Sequence, residues 1–118
     1  MTREEFDVFS KSLKSTTHVV QWGDASVWKV GGKVFAIHSG LGEDNAHTLS
    51  FKCSELNFQI LCELDGIIPA PYLARGNWVQ IVSKEAMCNE DVKDYIRSSY
   101  TIISQKLTKK IQDELGLR

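Results

Sequence analysis

Trp28-Lys29-Val30-Gly31-Gly32-Lys33-Val34-Phe35-Ala36 is the stretch that decides the fold. Two runs rich in β-branched and aromatic residues flank a Gly-Gly pair. Both glycines accept φ > 0, which a two-residue hairpin turn requires. Such a turn sets the register: Val30 opposite Lys33, Lys29 opposite Val34, Trp28 opposite Phe35. The Trp28–Phe35 pair is then a cross-strand contact worth about 0.2–1 kcal/mol. An antiparallel sheet is expected at the centre of the chain.

Upstream, His18-Val19-Val20-Gln21-Trp22 reads as a preceding strand, closed by Gly23-Asp24. Before it, residues 2–14 read as an amphipathic helix. Thr2 and Glu5 form a T-x-x-E capping box, and Phe6, Phe9 and Leu13 share one face. Downstream, residues 39–47 are a polar, Gly-rich loop. Thr48 to Cys53 then alternates, with Leu49, Phe51 and Cys53 facing the core and Thr48, Ser50 and Lys52 facing away. Ser54 is a plausible N-cap for a helix to about Leu64, with Phe58, Leu61 and Cys62 inside, and Asp65-Gly66 ends it. Pro69 and Pro71 make the next segment extended or turning. Asn77 to Val82 is a further strand, with Val79 and Ile81 inward and Trp78 and Gln80 on the other side.

The last third is helical. Asn89 can cap it, and Glu90 and Asp91 suit the positive end of the helix dipole. Val92, Ile96, Tyr100, Ile103, Leu107, Ile111 and Leu115 recur at spacings of four and three, so one face stays apolar. A break is allowed near Ser98-Ser99. The order of elements gives an α+β fold. It is a meandering antiparallel sheet covered on one face by helices, with an N-terminal helix and a long C-terminal helical segment. The 118 residues are expected to form a single domain.

Composition supports a folded globule, with 42% hydrophobic and 25% charged residues. The 14 Lys+Arg against 15 Asp+Glu give a net charge of −1, which excludes a strongly basic nucleic-acid binder but not a locally basic face. The polar start, Met1-Thr2-Arg3-Glu4-Glu5, leads to the expectation of no signal peptide. No run of apolar residues is long enough to span a membrane. Cys53, Cys62 and Cys88 are odd in number and widely spaced. They are read as reduced thiols in a cytoplasmic protein rather than as disulfide or zinc partners.

In four pieces the chain resembles the MmcQ/YjbR family. Trp28 to Ala36 looks like that family's hairpin, and Phe51-Lys52-Cys53-Ser54 like its strand-to-helix step. Pro69-Ala70-Pro71-Tyr72-Leu73 with Asn77-Trp78-Val79 is similar to its Pro-Ala-x-Tyr-Leu … x-Trp-Val segment. Ser99-Tyr100 with Lys106-Leu107 and Lys109-Lys110 is similar to its terminal helix. Many members carry Pro-Gly after the first helix, where this chain has Ser15-Thr16-Thr17-His18. The resemblance implies a small cytoplasmic bacterial protein with a CyaY/frataxin-like sandwich. It also implies a DNA-binding label, and it supplies no catalytic residues.

DNA binding needs several cations on one surface. The candidates are Lys29, Lys33, Lys52, Arg75, Lys84, Lys106, Lys109 and Lys110, with Trp78 as a stacking or packing platform. The Gly31-Gly32 tip between Lys29 and Lys33 has the form of a wing, although the register puts these two lysines on opposite faces. The sequence reads as a non-enzymatic DNA-binding or regulatory module that contacts phosphates through these lysines. The alternative is a protein-interaction domain, homodimeric or with another protein, acting through an open sheet face that bears Trp78 and Trp28. No membrane partner, cofactor or metal is expected. His18, His38 and His47 lack metal spacing, and His38 and His47 read as exposed loop residues even with Glu43 and Asp44 nearby. Acidic Glu4, Glu5 and Asp7 read as helix-dipole partners. Tyr100 reads as a packing residue with a satisfied hydroxyl.

Overall fold

The computed structural model describes residues 1–39 and 48–118. The expected Gly-rich loop, with Glu43, Asp44 and His47, lies outside the described residues. Six strands form one antiparallel sheet in the order β1-β2-β3-β4-β6-β5. They are β1 (Thr16–Gln21), β2 (Ala25–Val30), β3 (Lys33–His38), β4 (Leu49–Lys52), β5 (Ile67–Pro69) and β6 (Trp78–Ile81). The helices are α1 (Arg3–Ser12), α2 (Glu55–Leu61), α3 (Asn89–Gln105) and α4 (Lys109–Glu114), and a 3-10 turn covers Ala74–Gly76. The α+β class is as the sequence led one to expect.

The β2–β3 hairpin turns on Gly31 and Gly32, with φ of 58° and 78°. Val30 pairs with Lys33 and Lys29 with Val34, but Trp28 pairs with Ala36 rather than Phe35. The correction has a physical cause. A β-bulge between Trp28 and Lys29 makes Phe35 an extra residue, so Phe35 and Ala36 both enter the core beneath the helices. A rule of strict alternation cannot place two neighbouring residues on one face.

That core contains Phe6 of α1, Trp28, Val30, Phe35, Leu49, Phe51, Val79 and Ile81 of the sheet, and Val92, Ile96 and Ile103 of α3. Phe6 and Phe51 are fully buried, each contributing about 1.5–3 kcal/mol. The alternation expected for β4 and β6 holds. Leu49, Phe51, Val79 and Ile81 face the helices, while Ser50, Trp78 and Gln80 face away together with Ala25, Val27 and Ile37.

Caps explain the helix ends. The Thr2 hydroxyl accepts from the Glu5 N–H at 3.1 Å and the Glu5 carboxylate accepts from the Thr2 N–H at 3.0 Å, completing the capping box. Hydrogen bonds to the carboxylate, first from the Thr2 backbone N–H and then from the Thr2 side chain, hold the Glu5 carboxyl below its usual range. Ser54 caps α2 through Asn57 N–H. α2 ends at Leu61, before Asp65-Gly66, where Gly66 takes φ 87°. The cap of α3 is Cys88 and not Asn89. Asn89 instead donates to the Glu5 carboxylate at 3.0 Å and ties α3 to α1. The terminal segment does not break at Ser98-Ser99, because the Ser99 hydroxyl is engaged with the sheet. It breaks after Lys106, where Thr108 accepts from Ile111 N–H and starts α4.

His38 is not an exposed loop residue. It ends β3 fully buried, with its ring 5.4 Å from that of Phe6 and Nε2 3.1 Å from the Met1 carbonyl. Burial pushes its pKa down.

Candidate functional site

The cations singled out in the sequence are dispersed. Lys29 projects half-buried on the face away from the helices, and Lys33 is exposed on the helix side, so the hairpin separates them as the register requires. Arg75, Lys106, Lys109 and Lys110 are exposed. Lys52 is 9% exposed and its Nζ donates to the Gly76 carbonyl. Burial, and then the neighbouring Lys106 ammonium, lower its pKa. Lys52 and Lys106 are thus close, while Lys52 has little surface of its own to offer a phosphate. Trp78, paired across the strands with Lys52, is 8% exposed and packs against Val27, Ile37 and Ala70. It serves as packing; its ring is not open to a stacking base.

The face turned away from the helices carries a groove that sequence reasoning did not reach. Its volume is about 530 Å³, within the roughly 300–1,000 Å³ of small-ligand sites. Ala25, Ile37, Ser50 and Gln80 belong to the strands of its floor. Trp22, from the β1–β2 turn, lines it from one element, and Pro71, Tyr72 and Leu73, from the β5–β6 connection, line it from another; Ser39 and Ala70 complete it. None of these side chains is charged.

Its aromatic residues are unusual in two ways. Trp22 is 61% exposed and Tyr72 fully exposed. Both also hold left-handed backbone, with φ of 54° and 67°. A bulky residue there costs about 1–2 kcal/mol relative to ordinary φ, because Cβ crowds the carbonyl oxygen. Two large rings thus stand in solvent at strained positions, around one groove. The sequence signal for Trp22 was its place before Gly23-Asp24, a turn in which all three residues have positive φ. Nothing in Pro71-Tyr72-Leu73 announces the same for Tyr72.

The groove floor is polar at one point. Ser50 and Gln80 are direct cross-strand partners, and Gln80 Nε2 donates to Ser50 Oγ at 3.4 Å. Ser50 is 3% exposed and so nearly out of water.

On the helix side, a second cluster joins α1 to β1 and β2. Ser26 Oγ donates to Asp7 Oδ1 at 2.5 Å, Trp28 Nε1 donates to the same oxygen at 2.9 Å, and His18 Nε2 lies 2.8 Å from Ser26 Oγ. The His18 ring stacks on Trp28 at 4.6 Å. Ser26 is completely buried and bonded on both sides, so this network fastens α1 rather than presenting a nucleophile. Tyr100 is likewise a packing residue. Its hydroxyl donates to the Lys14 carbonyl at 2.5 Å and its ring meets Phe35 edge-on. Among the described residues no three His, Cys, Asp or Glu side chains converge as a metal site, and no helix is long and apolar enough to cross a membrane.

Comparison with known proteins places these features in a family frame. The family model of YjbR matches residues 11–102. The chain is similar in fold to a Deinococcus radiodurans protein, DR2400, described by a DUF419 domain. The TM-score is 0.87 at 22% identity, over 99% of this chain and 89% of that one. It is also similar to a protein from Pseudomonas syringae, with a TM-score of 0.69 at 17% identity, over 87% of this chain and 99% of that one. No curated protein matches the sequence.

Proposed function

This chain belongs to the YjbR family, and from that premise we propose that it is a non-enzymatic binding module whose open sheet face takes an uncharged, ring-bearing ligand or partner group. The observation that carries this reading is the pairing of Trp22 and Tyr72, both exposed and both at positive φ, on a groove to which the described residues contribute no charge. Backbone strain persists where surrounding structure overrides it, and it concentrates at ligand clamps. Exposed apolar surface around a concavity marks a binding site.

A second reading, phosphate contact with DNA, is favoured by the nearness of Lys52 and Lys106, which gathers positive charge at the hairpin end of the sheet. It is weakened by the engagement of Lys52 Nζ with Gly76 and by the separation of Lys29 from Lys33.

One experiment separates the two. The protein is titrated with an uncharged solvatochromic dye and, in parallel, with labelled duplex and single-stranded DNA at about 50 and 200 mM salt. The groove reading expects one saturable dye site, indifferent to salt and lost in the Trp22→Ala/Tyr72→Ala variant. DNA binding that falls with salt and with charge reversal at Lys109 and Lys110, together with no dye site, would replace it.

A further inference from the structure

We infer that the groove selects a flat, uncharged ring bearing a carboxamide or lactam edge, which Gln80 and Ser50 read from the floor. This rests on the groove reading above and names the ligand class.

The polar groups leave little choice. Gln80 carries a donor and an acceptor side by side on one carboxamide. Its Nε2 makes one long bond, 3.4 Å, to Ser50 Oγ, and its Oε1 has no partner among the described residues. Ser50 Oγ accepts that bond and donates to no acceptor among the described residues, which leaves its proton for a ligand. Ser50 and Gln80 face each other across β4 and β6, on the face that bears the groove. A ligand edge offering C=O and N–H together satisfies the carboxamide in the bidentate manner by which glutamine reads an adenine edge. The same ligand carbonyl can accept from Ser50.

The walls supply the rest. Trp22, Tyr72, Pro71 and Leu73 offer apolar and aromatic surface, which suits the face of a ring. A charged group would be desolvated there with no counter-charge among the described residues of the lining, a costly arrangement. A purely apolar ring would leave the Gln80 acceptor and the Ser50 donor covered and unmatched, which also costs binding.

Three probes built on one phenyl ring test the inference: benzamide, benzoate and N,N-dimethylbenzamide. The first has the neutral donor–acceptor edge, the second is charged, and the third lacks the N–H. Each competes with the uncharged dye on the full chain, at millimolar concentrations suited to fragments, while the Trp22 indole N–H is followed by NMR. Benzamide is expected to displace the dye about tenfold more tightly than either relative, roughly the worth of one net hydrogen bond. Gln80→Met, close in shape, is expected to erase the preference, so that the three probes compete alike. Equal competition by all three probes, or an unchanged preference in Gln80→Met, overturns the inference while leaving the groove reading in place. A dye that finds no site overturns both. A mass that doubles with concentration and reverts to monomer in Trp22→Ala assigns the groove to a second copy and also overturns the inference.

Discussion

The Ser99 hydroxyl donates to the Phe35 carbonyl at 2.7 Å, one residue beyond the last β3–β4 pair, Ala36 with Phe51. The same oxygen accepts from the Lys52 backbone N–H at 3.0 Å. One buried side chain of α3 therefore satisfies an acceptor on β3 and a donor on β4.

Ser99→Ala removes both partners at once while barely altering shape. Two buried backbone groups lose their bonds, so the expected loss is about 2–3 kcal/mol. Urea denaturation should show a lower midpoint with an unchanged m-value. A loss under about 0.5 kcal/mol would mean that the sheet relaxes and re-pairs around Phe35.

Gly31 and Gly32 share a turn but not an environment. A Cβ on Gly31 would lie 2.6 Å from Leu107 Cδ1, whereas one on Gly32 meets nothing within 4 Å. Both carry positive φ, so each alanine variant costs about 1–2 kcal/mol of strain. Gly31→Ala should cost more, by the clash with Leu107 at the junction of α3 and α4. Leu107→Ala should then recover part of the excess in Gly31→Ala and none in Gly32→Ala. A double-mutant cycle with no coupling between positions 31 and 107 would falsify this account.

These two sites mark how far the sequence can be read. The Gly31-Gly32 turn, the Thr2–Glu5 box, the Ser54 cap and the alternation in β4 and β6 are local rules, and each is met locally. The bulge at Phe35 was not legible, because no alternation rule marks it and the Phe35 carbonyl finds its partner on Ser99, 64 residues away. Asn89 was misplaced as a cap because its amide finds Glu5 on another helix. The helix break moved to Thr108 for a similar reason, since the serine that invited a break is held by the sheet. The candidate site was harder still. A tryptophan and a lysine in alternating positions look like a binding face, yet Trp78 and Lys52 are covered, and the exposed aromatics are Trp22 and Tyr72. Both rings sit at positive φ in two connections that are distant in sequence, and no periodicity encodes that.

Lys52 should leave a signature at high pH. Burial and the nearby Lys106 place its folded pKa below the ordinary 10.5. Below the folded value both states are charged, and the folded state bears the full burial penalty. Between the folded value and 10.5 the unfolded chain still holds a proton that the folded chain has released, so this group makes stability rise with pH. Cys53 acts the other way. Burial, with Cys62 nearby, pushes its thiol up to about 11 from 9.0, so its contribution falls as pH rises from 9.0. The comparison with Lys52→Met isolates the lysine. The difference in unfolding free energy between wild type and Lys52→Met should shift in favour of wild type as pH increases through the window. In Lys106→Gln that shift should begin at higher pH. A difference that is flat with pH would mean that Lys52 Nζ is hydrated as in the unfolded chain.

The α1 anchor fixes a tautomer. Ser26 has one hydroxyl proton, and the Asp7 carboxylate can only accept, so that proton goes to Asp7. His18 Nε2 must then be the donor to Ser26 Oγ, which leaves Nδ1 as the acceptor nitrogen of the neutral ring. Nitrogen-15 chemical shifts of the neutral His18 ring should show the proton on Nε2. Ser26→Ala should relax this preference and loosen α1. A ring that carries its proton on Nδ1 would mean that the Ser26 hydroxyl points at His18 and leaves Asp7 to Trp28 alone.

Tyr72→Gly separates the strain at the groove from its use. The Tyr72 side chain is fully exposed, so its removal forfeits little packing. Its φ of 67° is a conformation that glycine adopts freely and that tyrosine does not. The variant should therefore be more stable, by about 0.5–1 kcal/mol once the extra freedom of an unfolded glycine is subtracted from the relieved strain. It should at the same time lose the dye site, since one aromatic wall is gone. Trp22→Gly is expected to follow the same pattern with a smaller stability gain, because Trp22 retains some contact with the sheet. Gains in stability coupled to losses in binding are what a residue kept for ligand contact produces. If Tyr72→Gly is instead destabilised, the tyrosine is holding the β5–β6 connection in place, and its position at the groove has a structural origin.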